Sequence, residues 1–318
     1  QGGKVDLAGW ASASGGIKVE AIAGALPTEM LKRLWPQFLA GDARSWVAKN
    51  VEGGSIDRAS VSITLTPEEM RGLVAGGSVG PDRIVVEFEG RDLEVRHLEG
   101  LPALAVPAAR LTIDGSRLEV KAETATLPLP SGRRLQVEKA SFLIADMLAE
   151  EPQGLVTLAA KSSVDEAVEL LEQEPFGAAN LSALKSSRPT GDASVSLKVA
   201  MPLVERLKLA DLSIKGTGRL ANLGAKKRIG GFELQGGTVE IAITDKEVGG
   251  KGKLVLSGVP VDVTWSRFLT GEKGPQPRLK LEARLDATDR EQLGININHM
   301  LVGELPVKVE IDPSAGDS

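Results

Sequence analysis

A short module recurs along the chain: a segment in which apolar and polar residues alternate runs directly into the start of a helix. At least five copies are present, in residues 17–35, 59–70, 154–171, 252–268 and 279–293. Alternation with a period of two places every second side chain on one face of a β-strand, so each copy is apolar on one side only. A single strand cannot bury such a face. Copies side by side would give a long sheet with one continuous apolar face.

The rest of the chain follows the same alternation, interrupted by turn signals such as Gly-Gly, Gly-Pro and Asp-Gly. Their spacing of about 6 to 12 residues favours antiparallel meanders over crossover helices. The clearest hairpin is at Asp114-Gly115, between two alternating segments. We therefore predict a mainly β fold: an elongated, curved, largely antiparallel sheet with a few short capping helices.

Capping residues mark the helix starts. Thr66, Ser163 and Thr288 are each followed three residues later by Glu, the spacing of a capping box. We predict helices near 27–50, 67–74 and 164–173.

The chain is predicted to divide into two halves. Residues 174–191 contain two Pro, two Gly and several Ser, which is typical of a joint. We place the boundary near residue 185, with a first β-groove half in 1–185 and a second in 186–318. One continuous sheet through both halves is the alternative.

Composition excludes several classes of partner. The net charge is −5 with basic and acidic residues interspersed, so there is no basic stripe for a nucleic-acid backbone. Cysteine is absent, which excludes disulfides and thiolate metal sites. Aromatic residues make up only 3% of the chain, so Val, Leu, Ile and Ala must form its apolar surfaces. Such aliphatic surfaces suit a thin sheet or a face presented to flexible apolar material.

The chain carries no sign of a membrane-spanning segment. No apolar run approaches the ~20 residues that a spanning helix needs. The first residue is Gln1 rather than Met. We expect the chain to be a piece of a longer protein from which any signal or anchor has been lost.

Residue patterns for catalysis are missing. His97 and His299 are the only histidines and lie about 200 residues apart, which does not fit a zinc site or a Ser-His triad. Ser182-x-x-Lys185 lacks the companion motifs of the penicillin-binding enzymes, and Gly216-x-Gly218 lacks the third glycine of a dinucleotide site. We therefore predict no catalytic residues, no metal site, no cofactor and no enzyme activity.

Several segments resemble the AsmA-like proteins of Gram-negative bacteria, in particular the YhdP type, and the resemblance extends over essentially all of the chain. The least generic is 34–56, where Trp-Pro and Ala-Arg-x-Trp precede Gly-Gly and a strand. The others are Gly100-Leu-Pro-Ala-Leu104, Gly258-Val-Pro-Val-Asp-Val-Thr-Trp265, Asp289-Arg-Glu-Gln-Leu-Gly294 and Gly303-Glu-Leu-Pro-Val-Lys-Val309. Their order along the chain is the strongest part of the resemblance.

The resemblance implies a bridge-like lipid-transfer protein whose long sheet forms a taco-like groove. It also implies a strand that ends at Trp265, where a helix would begin. Such a protein would be periplasmic, tethered to the inner membrane by a segment absent from this sequence, and would move phospholipid between the inner and outer membranes in support of the outer-membrane barrier. Its implied partners are phospholipid acyl chains, the two membranes and other envelope proteins. The predicted groove is lined by apolar residues of the alternating strands. They are Ile84, Val86, Phe88, Leu118, Val120, Val195, Leu197, Val239, Ile241, Leu254 and Leu256.

Two other functions remain open from the sequence. The first is a non-catalytic envelope scaffold or assembly module, whose apolar face would be fully covered by protein. The second is an enzyme on a long β-solenoid that acts on polysaccharide, against which the low aromatic content argues.

Overall fold

The computed structural model describes residues 4–34, 41–75, 77, 79–96, 100–173, 176, 182–203, 211–268 and 278–311. Strands make up 62% of the described structure and the described helices are few and short, which confirms the mainly β class. The curvature and elongation of the sheet stay predictions.

Sixteen strands are described. The first eight are β1 Lys4–Ser12, β2 Gly16–Pro27, β3 Val51–Glu52, β4 Ser55–Leu65, β5 Ile84–Val95, β6 Leu104–Asp114, β7 Arg117–Pro128 and β8 Arg134–Ile144. The others are β9 Gln153–Ser163, β10 Pro189–Pro202, β11 Ser213–Ala225, β12 Leu234–Thr244, β13 Glu247–Leu256, β14 Val259–Phe268, β15 Arg278–Leu285 and β16 Leu305–Ile311. A predicted strand at Leu207 and Leu209 lies outside the described residues.

The strands form one antiparallel sheet in almost the order of the sequence. The order runs from β1 to β16, and only the two-residue β3, which pairs with β5, lies off this path. Short connections explain the order, because antiparallel neighbours can be joined by two-residue loops. The predicted hairpin is confirmed: Asp114 pairs with Arg117 across the turn, where Gly115 has a φ of 61°.

Six short helices are described: α1 Thr28–Leu34, α2 Gly41–Asn50, α3 Pro67–Val74, α4 Val164–Leu171, α5 Ser182–Ser186 and α6 Ala287–Gln292. The helices predicted near 67–74 and 164–173 are confirmed as α3 and α4. The segment predicted as helical near 27–50 contains α1 and α2, and residues 35–40 between them lie outside the described part. Helices α3, α4 and α6 begin directly after a strand because their caps stand at the strand end, as Thr66 does before α3.

Two details of the helix prediction are wrong. Trp265 lies within β14 rather than at a helix start, because Ser257 and Gly258 adopt positive φ angles of 48° and 87° and turn the chain back as a hairpin. The cap of α6 is Asp286, which forms a capping box with Asp289, and not Thr288. In both cases a competing local signal was present in the sequence. It was the Ser257-Gly258 turn before β14 in the first case and the carboxylate of Asp286 before α6 in the second.

The chain forms two compact units that interleave along the sequence. Unit 1 consists of residues 1–128, 136–159 and 199–212, and unit 2 consists of residues 129–135, 160–198 and 213–318. Each has its own aliphatic core. The core of unit 1 includes Val86, Ile113 and Leu118. In unit 2 one cluster surrounds Val239 and another surrounds Val259.

Candidate functional site

The strand register of unit 1 lines up apolar residues in rows across the sheet. Residues directly opposite each other in an antiparallel pair point to the same face. One such row, read from β1 to β7, consists of Leu7, Ala21, Val61, Val86, Ile113 and Leu118. The next row consists of Val5, Ala23, Ala59, Phe88, Leu111 and Val120. These rows make one face of unit 1 aliphatic across six strands.

Five of the predicted groove residues belong to this face. Ile84, Val86, Phe88 and Leu118 are buried in the core cluster of unit 1, and Val120 packs against the same cluster while half-buried. The sequence had placed them on one face, and the register brings them into contact. Burial is not uniform along a row, since Val86 is 1% exposed whereas Leu7, in the first strand, is 72% exposed.

Helix α3 covers part of this face in unit 1. Its residues Met70 and Leu73 pack against the core cluster. The helix is fixed at the end of β4 by a capping box, in which Thr66 N donates to Glu69 at 2.8 Å and Glu69 N donates to the Thr66 hydroxyl at 3.2 Å. The backbone hydrogen bond from Thr66 lowers the pKa of Glu69, and Arg83, 2.9 Å away, acts in the same direction.

Unit 2 repeats the arrangement with its own rows. One row from β11 to β16 consists of Leu220, Val239, Gly252, Val263, Leu281 and Val309. The adjacent row consists of Gly218, Ile241, Gly250, Trp265, Leu279 and Ile311. At β16, the last residues of both rows are exposed, so this end of the face is open to solvent.

The other six predicted groove residues lie on strands of unit 2. Val239, Ile241 and Leu254 share one cluster, and Leu256 packs in the adjacent cluster around Val259. The side chain of Leu197 lies over Gly216, whose position in β11 is on the same face. Val195, two residues earlier on β10, points to the same side as Leu197 by strand alternation.

A glycine allows the largest side chain of this face to lie flat. Gly250 and Trp265 are direct partners on β13 and β14. A Cβ at Gly250 would stand 2.2 Å from the indole Nε1 of Trp265, so any larger residue would push the ring away from the strand. Because Gly250 has no side chain, the apolar face of unit 2 stays flat at this point.

The opposite face of each unit is charged. In unit 2 one row across six strands consists of Arg219, Glu240, Lys251, Thr264, Lys280 and Glu310. Arg219 and Glu240 are 2.9 Å apart, and Lys121 and Glu119 on the corresponding face of unit 1 are 3.2 Å apart. Such exposed pairs contribute little stability, but the charges keep this face in water. The predicted contrast between a wet and an apolar face is therefore present in both units.

A polar cluster that the sequence did not reveal fixes helix α4 in unit 2. Arg133, in the turn before β8, pairs with Asp165 and with Glu169, the latter at 2.8 Å. Glu169 also accepts hydrogen bonds from the main-chain N–H of Ser131 at 2.6 Å and from its hydroxyl at 2.8 Å. Burial alone would raise the pKa of Glu169, but the hydrogen bonds from Arg133 and Ser131 outweigh it and hold that pKa below its ordinary value. No local pattern connects residues so far apart.

A second feature missed by the sequence is the buried guanidinium of Arg290 in α6. Its side chain donates to the carbonyl oxygens of Leu285 at 2.9 Å and Gly303 at 2.8 Å, and to the Asn298 side chain at 2.6 Å. A longer bond of 3.3 Å reaches the carbonyl of Leu301. These bonds fold the connection between α6 and β16 against the end of the sheet.

The described residues provide little for catalysis. No group of three carboxylate or histidine side chains among them could hold a metal ion. His299 is exposed, His97 lies outside the described part, and Lys185 is paired with Glu172 at 2.7 Å. Gly216 and Gly218 lie inside β11 rather than in a turn before a helix. None of the described helices is long and apolar enough to cross a membrane.

Rows of aliphatic side chains on one face and charges on the other define a class of protein: a long antiparallel sheet with one apolar and one charged face in each unit. The chain matches the family described as YhdP protein over residues 3–316, and it belongs to that family. This confirms the resemblance read from the sequence. No curated protein and no solved structure matches the chain.

Proposed function

We propose that this protein binds the acyl chains of phospholipids on the apolar faces of its sheet and forms part of a path for lipid between the inner and outer membranes. Such a path would support the barrier function of the outer membrane. The observation that carries the proposal is the pair of rows of apolar side chains, with glycines among them in unit 2, that crosses each unit and is backed by a charged face. Membership of the YhdP family and the large antiparallel sheet are compatible with it.

Such a surface can bind an acyl chain favourably even though it has no specific binding site. Moving one CH₂ group from water to an apolar surface contributes about 0.8 kcal/mol. The row through Val263, Leu281 and Val309 offers aliphatic contacts on successive strands, about 4.8 Å apart. A chain that slides along such a row exchanges one aliphatic contact for another. Continuity, rather than any one residue, is then the requirement for transport.

We also propose a periplasmic location, a tether to the inner membrane, and contacts with both membranes and with other envelope proteins. The family is associated with the cell envelope, which supports this placement. The proposal includes no catalytic step, in keeping with the residues described above.

A scaffold is the second candidate, and one observation favours it for unit 1. Val86 and Ile113 are each only 1% exposed, and α3 packs over the same cluster. A face covered in this way would hold the protein together instead of carrying lipid. The open ends of the rows, at Leu7 in unit 1 and at Val309 and Ile311 in unit 2, favour the lipid proposal.

Lipid content of the purified protein tests the proposal directly. Native mass spectrometry and solvent extraction should recover phospholipid from the wild-type chain. Ile241→Glu places a carboxylate on the apolar row, where desolvation of its charge costs several kcal/mol. We expect this variant to lose most of its lipid.

The matched control is Ala242→Glu, which introduces the same side chain one residue later, on the charged face. It should retain wild-type lipid content, and circular dichroism should show that both variants are folded. A wild-type protein without lipid, or equal lipid loss in the two variants, would favour the scaffold.

A further inference from the structure

Helix α4 lies on the apolar face of unit 2 where the predicted groove would pass. Val164, the first residue of the helix, is buried in the same cluster as Val239 and Val263. Val168, one turn later, is also buried. At this point of the row the face is therefore covered by a helix. An acyl chain lying along Val239 would occupy the space that Val164 fills.

The helix is too short to hold this position by itself. It has eight residues, or about two turns, and isolated helices shorter than ~12–15 residues are marginal in water. Its N-terminus is joined to β9 through Ser163, whose main-chain N–H donates to Glu166 at 2.9 Å. That contact lies within the helix and its cap, so it would persist if α4 moved away from the sheet. The polar contacts that hold α4 against the sheet must come from residues outside the helix and its cap.

The clamp around Arg133 supplies them. Arg133 contacts Asp165 and Glu169, on successive turns of α4, while Ser131 donates two hydrogen bonds to Glu169. The Glu169 side chain is only 14% exposed, and charge-assisted bonds of this kind are about twice as strong as neutral ones. A further ion pair joins Glu172, at the end of α4, to Lys185, and it differs from the clamp because its lysine is 63% exposed.

We propose that α4 is a hinged cover over the apolar face of unit 2, and that the Arg133 clamp sets how often it opens. The inference rests on the proposed function, because an entering acyl chain must displace Val164 from the row. Opening would move the Ser163 cap and Val164 off the sheet together, with the end of β9 as the hinge, and would expose Val239 and its neighbours. The cover thus regulates access to the same face that carries the lipid.

The first measurement follows the helix itself. Arg133→Gln removes the charge that joins the turn to α4, and Lys185→Gln is the control that removes the exposed ion pair from the same helix. We expect amide hydrogen exchange of residues 164–171 to rise about tenfold in Arg133→Gln, which corresponds to ~1.4 kcal/mol. Exchange in Lys185→Gln should change less than twofold. Unchanged exchange in Arg133→Gln overturns the clamp.

The second measurement follows access to the face. Transfer of a pyrene-labelled phosphatidylethanolamine from phosphatidylcholine vesicles should be about tenfold faster for Arg133→Gln than for wild type. Arg133→Lys keeps a positive charge between Asp165 and Glu169. It should keep a slow rate, which separates the ion pairing from a general loss of stability. Faster exchange with unchanged or slower transfer shows that α4 does not cover the path, and overturns the proposal.

A lipid-independent readout separates this inference from the proposed function. Anilinonaphthalene sulfonate reports exposed apolar surface, and its fluorescence on lipid-free Arg133→Gln should rise relative to wild type and to Lys185→Gln. If no variant takes up phospholipid, the proposed function fails while a rise in dye binding still supports the cover. If dye binding is equal in all three proteins, the cover is wrong even where lipid transfer occurs.

Discussion

Replacing Arg290 by methionine should strongly destabilise unit 2. The side chain is only 1% exposed, and its acceptors are three main-chain carbonyls and the Asn298 amide oxygen. Methionine fills a similar apolar volume but donates no hydrogen bond. The variant therefore takes a donor from each of these oxygens and adds little strain.

The size of the effect follows from those bonds. A hydrogen bond to a charged group contributes about 1.5–3 kcal/mol. We count only the two bonds from Nη1, at 2.9 Å to Leu285 and 2.8 Å to Gly303. Because methionine keeps some apolar contacts, we expect the free energy of unfolding to fall by about 3–5 kcal/mol. For a unit of this size the melting temperature should fall by roughly 6–20 °C.

Urea denaturation followed by circular dichroism measures the change, and hydrogen exchange locates it in the connection between α6 and β16. The matched control is Arg284→Met on β15, because that side chain is 82% exposed and 4.0 Å from Glu304. The control should lower the free energy of unfolding by less than about 0.5 kcal/mol. If Arg290→Met stays within 1 kcal/mol of wild type, roughly the value of a single hydrogen bond, the buried guanidinium does not hold the connection.

Three further predictions concern single positions. Gly250→Ala should displace the indole of Trp265 and shift its fluorescence, whereas Gly249→Ala, whose Cβ would stand an ordinary 3.4 Å from the nearest atom, should not. The stabilisation by Glu169, whose folded pKa is lowered, should be complete above its unfolded pKa of about 4.3 and lost as the pH falls through the folded value. In urea titrations, the difference in free energy of unfolding between wild type and Glu169→Gln should therefore be largest at about pH 7. It should disappear as the pH falls below about 4.3. His299→Ala should leave lipid content unchanged by mass spectrometry, because the exposed imidazole lies off the apolar rows; a loss would reopen a catalytic interpretation.

Local patterns in the sequence determined the strands, the helix starts and the contrast between the faces. Alternation alone put Val239 and Ile241 on one side of a strand, because successive side chains point to opposite faces. Thr66 and Glu69 predicted the start of α3 because a capping box involves residues only three positions apart. These features need no information from distant parts of the chain.

Only the tertiary structure decided which rows the apolar residues join and what covers them. Gly250 meets Trp265 through the register of β13 and β14, which the turn at Ser257 and Gly258 sets. Arg133 reaches Glu169 across 36 residues, and Arg290 finds carbonyl groups that the folded connection brings to it. Alternation fixes a side for each residue within its own strand. Neither the strand register nor a contact between distant residues has a local periodicity, so both appear only when the chain has packed.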